Sequence, residues 1–152
     1  LKHSNKFSIN IENSIILDLF SGVGSFGLEC LSRGAKYVTF IENYNGVLPI
    51  LKKNLSNLET EAKYQIINEN ILNKIDFKKI VNKCDIIFLD PPYKEKKLTI
   101  IIDQISKDKI LSDDGIIIIH RHKKEEDLFT KKLKILVEKK YGISKILFCK
   151  LN

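Results

Sequence analysis

The 152-residue chain is predicted to be a single α/β domain, built on a mostly parallel sheet that ends in an antiparallel hairpin. Three observations lead there. Short runs of isoleucine, leucine and valine alternate with amphipathic stretches, the pattern of strand–helix–strand units. The strand-like runs are almost wholly apolar, as expected when helices cover both faces of a sheet. The last two runs flank Tyr141-Gly142, a link short enough for a hairpin.

Each element has its own signal. Ile15–Phe20 is the first strand, and the loop Ser21–Gly24 leads into a helix over about Ser25–Arg33, stopped by Gly34. Tyr37–Glu42 is the second strand. Val47, Leu48, Leu51, Leu55 and Leu58 mark a second helix, with Pro49 tolerated in its first turn. Tyr64–Ile67 is the third strand, a short helix is expected over Ile71–Ile80, and Asp85–Asp90 is the fourth strand. Leu98, Ile101, Ile102 and Ile105 follow the i, i+3, i+4, i+7 spacing of an amphipathic helix. Asp113-Asp114-Gly115 is expected to turn the chain into a fifth strand, Ile116–His120. Leu133–Lys140 and Ile143–Leu151 form the hairpin. Right-handed crossovers bring the carboxyl ends of parallel strands to one edge, where ligands bind. Phe20–Gly24, Glu42, Asn70 and Asp90 all fall at such ends.

Composition bounds the partners. A formal charge of +7 and a pI near 9.2 suit a polyanion such as nucleic acid. The same lysine, isoleucine and asparagine richness, with Arg33 and Arg121 the sole arginines, also fits the bias of an AT-rich genome. No apolar run approaches the roughly 20 residues of a membrane helix. Cys30, Cys84 and Cys149 lie far apart, which fits a reduced cytoplasmic protein and neither a disulfide framework nor a zinc site. The polar start, Leu1 to Asn13, has no signal-peptide character. With no methionine even at position 1, the chain is expected to be a fragment lacking an N-terminal segment.

Asp90-Pro91-Pro92-Tyr93, at the end of the apolar run Ile86–Leu89, carries the most chemistry. Proline lacks an N–H, which leaves nearby carbonyls free to accept, and it pushes the residue before it into an extended conformation. An amino group conjugated to a ring has two donors. The Asp90 carboxylate and the Pro91 carbonyl can take one each while Tyr93 stacks on the ring. The bland reading is a rigid turn after a strand. Gly22-Val23-Gly24-Ser25-Phe26-Gly27 matches G-x-G-x-x-G, and Glu42 lies where a ribose-binding acid belongs. A nicotinamide oxidoreductase is therefore one alternative. A dinucleotide, however, brings a pyrophosphate anion to this loop, and here Asp18 precedes the loop and Asp90 lies across from it. Carboxylates suit a cationic ligand such as S-adenosylmethionine. Asn70 suits either an adenine edge or a helix N-cap.

The block Leu17–Ala35, LDLFSGVGSFGLECLSRGA, closely resembles the cofactor loop and first helix of the RsmD family. These are S-adenosylmethionine-dependent guanine-N2 methyltransferases of small-subunit ribosomal RNA. Ile41-Glu42, Asn68–Asn70, Asp90–Tyr93 and the ending from Lys140-Tyr141-Gly142 to Phe148 fall where that family has its other motifs. The resemblance covers nearly the whole chain. It implies a Rossmann-like class I methyltransferase sandwich of three layers, with seven strands in the order 3-2-1-4-5-7-6. It implies that Asp18, Phe20, Gly22 and Gly24 bind the methyl donor together with Glu42, Asn43, Asn70 and Ile71. It implies that Asp90, Pro91, Pro92 and Tyr93 hold the target guanine, with S-adenosylhomocysteine as product and no metal. Two features depart from the family. His120 stands where an acidic residue is usual, and the family's arginine-rich N-terminal segment is not in these residues.

Lys94, Lys96 and Lys97 follow the clamp, and Arg121, His122, Lys123 and Lys124 follow the fifth strand on the same edge. Both clusters are candidates for RNA phosphates, or equally solvated loops. The expected partner is ribosomal RNA or a small-subunit assembly, met by a monomer in a bacterial cytoplasm or an organelle of bacterial origin. DNA adenine-N6 and protein glutamine-N5 methyltransferases share the clamp chemistry but more often carry asparagine before the prolines. A non-catalytic RNA-binding module is the remaining alternative.

Overall fold

The computed structural model describes residues 8–58, 63–73, 76–80, 82–92, 97–125 and 131–152. Its elements are β1 (Ile15–Leu19), α1 (Ser25–Ser32), β2 (Tyr37–Ile41), α2 (Leu48–Ser56), β3 (Lys63–Ile67) and β4 (Cys84–Leu89), then α3 (Leu98–Asp108), β5 (Leu111–His122), β6 (Leu133–Tyr141) and β7 (Ser144–Leu151). The strands form one sheet in the order β3-β2-β1-β4-β5-β7-β6. Strands β1 to β5 pair in parallel, while β7 is antiparallel to both β5 and β6. That is the order the resemblance implied. It is also not the all-parallel 3-2-1-4-5-6 order of a dinucleotide-binding fold, because the hairpin inserts β7 between β5 and β6.

The apolar strand residues split by alternation into two cores. Ile16, Val38, Phe40 and Ile86 face α1 and α2, packing on Cys30, Leu31, Leu51 and Leu55. Leu17, Leu19, Ile87, Leu89, Ile117 and Ile119 face α3, whose Ile101, Ile102 and Ile105 are fully buried. Burying each of these α3 side chains contributes roughly 1.5–3 kcal/mol. No helix of the described residues is long and apolar enough to cross a membrane.

Two expectations are corrected. The described residues of 71–80 form two turns and no helix. Polar side chains compete with helical hydrogen bonding there: Asn70 Oδ1 accepts from the Leu72 N–H at 3.0 Å, and Asp76 Oδ1 from the Lys78 N–H at 2.9 Å. The second correction concerns Asp113-Asp114-Gly115, which lies inside β5 as a bulge. Between the pairs Cys84–Leu111 and Ile86–Ile116, the single residue Asp85 faces residues 112–115. Asp85 anchors the bulge, accepting from the Ser112 hydroxyl at 3.2 Å and the Ile15 N–H at 2.9 Å. This irregularity lies at the amino end of β4, away from the carboxyl edge.

Candidate active site

At the carboxyl edge, β1 stops because Phe20 takes a left-handed backbone conformation, φ 58°. For a bulky residue this costs on the order of 1–3 kcal/mol and persists only where the surroundings enforce it. The strained residue turns the chain under the glycine loop. Ser21 N–H donates to the Ile41 carbonyl at 3.1 Å and Gly24 N–H to the Ser21 carbonyl at 2.9 Å.

Glycines in the loop act by different means. Gly22, at φ +56°, turns its N–H to Glu42 Oε1 at 3.2 Å. Gly24, at φ +89°, leaves no room for a side chain, since a Cβ would lie 2.4 Å from Leu51 Cδ1. It seats the loop against α2 and lines neither cleft at this edge. Gly27 lets α1 press onto β2, where a Cβ would meet Phe40 Cε1 at 2.3 Å. Gly27→Ala should therefore destabilise the fold by about 1–3 kcal/mol, read as a lower urea midpoint. An unchanged midpoint would remove the packing role.

Two clefts meet at Phe20 and Asp90. The first, about 430 Å³, is lined by Asp18, the glycine loop from Phe20 to Val23, Phe88, Asp90 and His120. Phe26 and Phe88 stack at its wall, with ring centroids 4.0 Å apart. The second, about 380 Å³, is lined by Phe20, Glu42, Asn43, Asn70, Ile71, Asp90 and Pro92, with Tyr44, Glu69 and Leu72. The structure thus gathers residues from four strand ends, as the sequence led us to expect. Pro91 lies instead on a third cavity of about 220 Å³, on the hairpin side of Asp90. Tyr93, Lys94 and Lys96 lie outside the described residues.

Asp18 dominates the electrostatics. One carboxylate oxygen accepts from the Gly27 N–H at 3.1 Å, while Oδ1 is buried with no hydrogen-bond partner among the described residues. Burial pushes its carboxyl up to about 8, the Gly27 bond opposes that shift, and the Asp90 and Glu42 charges add to it. A buried acceptor without a partner is costly. A cationic donor group entering the first cleft would satisfy it. The ammonium of an amino-acid ligand fits Asp18 Oδ1, and the buried Ser21 hydroxyl, likewise without a partner, lies in the same loop. Glu42 is held as a bidentate acceptor, taking the Gly22 N–H on one oxygen and the Asn43 N–H on the other at 3.1 Å. Such a carboxylate is set to receive vicinal hydroxyls, the ribose recognition expected of it. The residues present therefore fit S-adenosylmethionine.

His120, marked in the sequence only as a departure from the family, is a site residue that sequence reasoning did not assign. Its Nδ1 lies 2.9 Å from Asp90 Oδ1, so the clamp acid is held from β5. Parallel pairing of β4 with β5, through Leu89 and Ile119, brings the next residues of the two strands side by side. That pairing was the signal that could have found it.

The basic candidates divide. Lys123 and Lys124 are exposed in the turn after β5. Lys97 is exposed, its Nζ donating to the Leu72 carbonyl at 3.3 Å. Arg121 needs correction as a surface phosphate contact: it lies within β5, its side chain is 3% exposed, and its guanidinium is 3.7 Å from Glu125. Alternation turned it inward. Cys30, Cys84 and Cys149 are buried free thiols pushed up to about 12, chiefly by burial, which leaves none of them suited to nucleophilic attack.

Comparisons with known proteins agree with this fold. The family model described as "Conserved hypothetical protein 95" matches residues 3–150. Ribosomal RNA small subunit methyltransferase D of Haemophilus influenzae is 33% identical over 134 residues, 88% of this chain and 69% of that one. The protein of the same name from Buchnera aphidicola subsp. Acyrthosiphon pisum is 35% identical over 122 residues, 80% of this chain and 62% of that one. The chain spans about three-fifths to two-thirds of the length of the curated relatives it matches. A solved structure of a conserved hypothetical protein of Streptococcus pyogenes superposes with a TM-score of 0.80 at 27% identity, covering 91% of this chain and 86% of that one. The chain belongs to the conserved hypothetical protein 95 family, the RsmD family whose motifs its sequence carries.

Proposed function

We propose that the chain is the methyl-transfer domain of an enzyme that methylates the N2 amine of a guanine in small-subunit ribosomal RNA, using S-adenosylmethionine. One observation carries the reading. Asp18 Oδ1, without a partner among the described residues, and the doubly bonded Glu42 lie on clefts that meet at Asp90 and suit a cationic nucleoside. Relatives named as ribosomal RNA small subunit methyltransferases support the substrate class.

When bound, the cofactor supplies an electrophilic methyl group on a sulfonium. The protein's part is positioning and charge. Asp18 and Glu42 fix the donor's two ends. Asp90, with Oδ1 engaged by His120, presents Oδ2 to one N–H of the target amine. The Pro91 carbonyl takes the other N–H, and Tyr93 stacks on the base, which must leave its helix to enter. So held, the amine nitrogen would lie in line with the donor's methyl, whose bond to sulfur would break as C–N forms, with S-adenosylhomocysteine as leaving group and the surplus proton passing to solvent. Asp90 therefore need not act as a full general base.

The test is methylation of ribosomal RNA from a strain lacking this gene, followed by nuclease digestion and mass mapping. N2-methylguanosine at one position is expected. Donor binding without any N2-methylguanosine would sink the reading. His120→Ala should lower the single-turnover rate about tenfold, since a hydrogen bond to a charged group contributes roughly 1.5–3 kcal/mol. His120→Asn, which keeps a donor near the Nδ1 position, should recover most of that rate. Equal rates for the alanine and asparagine variants would remove the positioning role.

A further inference from the structure

We propose that the tip of the β6–β7 hairpin, with the Lys123-Lys124 turn beside it, is a platform for the single-stranded RNA that flanks the target base; the inference rests on the reading of Asp90 as the amine clamp. Tyr141 pairs with Ser144, so Gly142-Ile143 is a two-residue turn. Gly142, at φ +55°, suits the first central position of such a turn, and a Cβ there would meet nothing within 4 Å. Turn chemistry favours small polar residues at these positions. Here instead Tyr141 is 58% exposed and Ile143 is 68% exposed, two large apolar side chains at the rim of the hairpin.

Their location gives this exposure meaning. Lys123 N–H donates to the Ile143 carbonyl at 2.7 Å, which ties the two turns together. Ile143 and Ser144 wall the cavity of about 220 Å³ whose other side is Asp90, Pro91 and His120. A strand leaving a base at Asp90 on this side passes directly over the tip.

Charge favours the same occupant. Residues 131–145 hold six lysines and one acid, Glu138. Lys139 and Lys140 are exposed next to Tyr141, as are Lys123 and Lys124 across the turn. Lysines on β6 also protect an edge strand from pairing. That role requires neither an exposed Tyr141 and Ile143 nor lysines in a separate turn. Aromatic side chains among lysines grip unstacked bases and phosphates together. An A-form duplex offers only its shape and backbone, so Tyr141 would be idle against it.

The experiment is fluorescence anisotropy with a labelled single-stranded RNA oligonucleotide and its duplex, over a salt series, using the whole chain. Tyr141→Ala should weaken single-strand binding about tenfold, the loss of one base–aromatic stack. Lys123→Glu, Lys124→Glu and Lys140→Glu combined should lower the slope of log affinity against log salt by about 2, at roughly 0.7 per phosphate on a single strand. Lys107→Glu with Lys109→Glu, at the opposite edge beside the end of α3, is the charge control and should lower neither. Binding of S-adenosylhomocysteine, followed by calorimetry, should be unchanged in every variant. Four outcomes overturn the platform: no single-strand binding, wild-type affinity in the tip variants, equal losses in the control, or a duplex bound as tightly as the single strand. Each leaves the methyl-transfer reading standing if S-adenosylhomocysteine still binds and N2-methylguanosine still forms; loss of those two in the wild-type protein would instead defeat that reading.

Discussion

Replacing Asp90 with alanine should lower the methyl-transfer rate about 10²- to 10³-fold, the usual cost of removing one preorganised electrostatic contact from a reacting centre. Methyl-donor affinity should fall less than the rate, because the residues proposed to hold the donor, Asp18 and Glu42, come from other strands. The loss should appear in kcat and in kcat/KM alike, as expected for an interaction that matters most in the transition state. Asp90→Asn tests the charge separately. Its amide oxygen still accepts a hydrogen bond, while the developing positive charge on the amine loses its counter-charge. The asparagine variant should fall between wild type and alanine in a single-turnover assay. A wild-type rate in Asp90→Ala would reduce Asp90-Pro91-Pro92 to a stiff turn.

The second large effect lies at Asp18. Its carboxyl is held near 8 in the ligand-free protein, chiefly by burial. A cationic ligand needs the ionised form, so binding must release a proton below that value. Each pH unit below about 8 then costs a factor of ten in affinity. Calorimetric binding of S-adenosylhomocysteine should strengthen about 50-fold from roughly pH 6 to pH 8 and level off about one pH unit higher. Asp18→Asn should bind weakly and lose this dependence. A flat profile in the wild type would show that Asp18 does not meet the ammonium.

The same burial acts on stability, with the opposite consequence for the ligand-free fold. Asp18 in the folded chain holds its proton to about 8, against an ordinary 3.8. Between these values the unfolded chain has lost that proton and the folded chain has not. Stability from this group is therefore full below about pH 4 and declines as the pH rises toward 8. Asp18→Asn should flatten this decline in urea titrations, making the ligand-free protein more stable at alkaline pH while impairing donor binding.

Much of the site is legible in the sequence. The run Ile86–Leu89 ending in Asp90, the glycine loop and Glu42 are local patterns, and chain chemistry alone marks them as strand ends carrying polar groups. The helix of Leu98, Ile101, Ile102 and Ile105 was equally plain, because its apolar face has the right period and all four residues are buried. Segment 71–80 misled for a physical reason. Its apolar spacing suits a helix, but Asn70 and Asp76 each capture a backbone N–H two residues on, and Ile71 and Phe77 reach the core from turns instead. Bounds of the fifth strand misled because Asp85 secures a bulge that no local pattern announces.

The sequence by itself determined the layered α/β architecture, the edge that carries the candidate site and the residue types that meet there. Those follow from periodicity and from the chirality of strand–helix–strand crossovers, which act along the chain. Only the tertiary structure decided the pairings between distant residues. It placed His120 against Asp90, turned Arg121 inward, left Asp18 Oδ1 without a partner among the described residues and set the hairpin tip beside Asp90 and Pro91. Those outcomes depend on strand register, and a shift of one residue would reverse which side chains face the site.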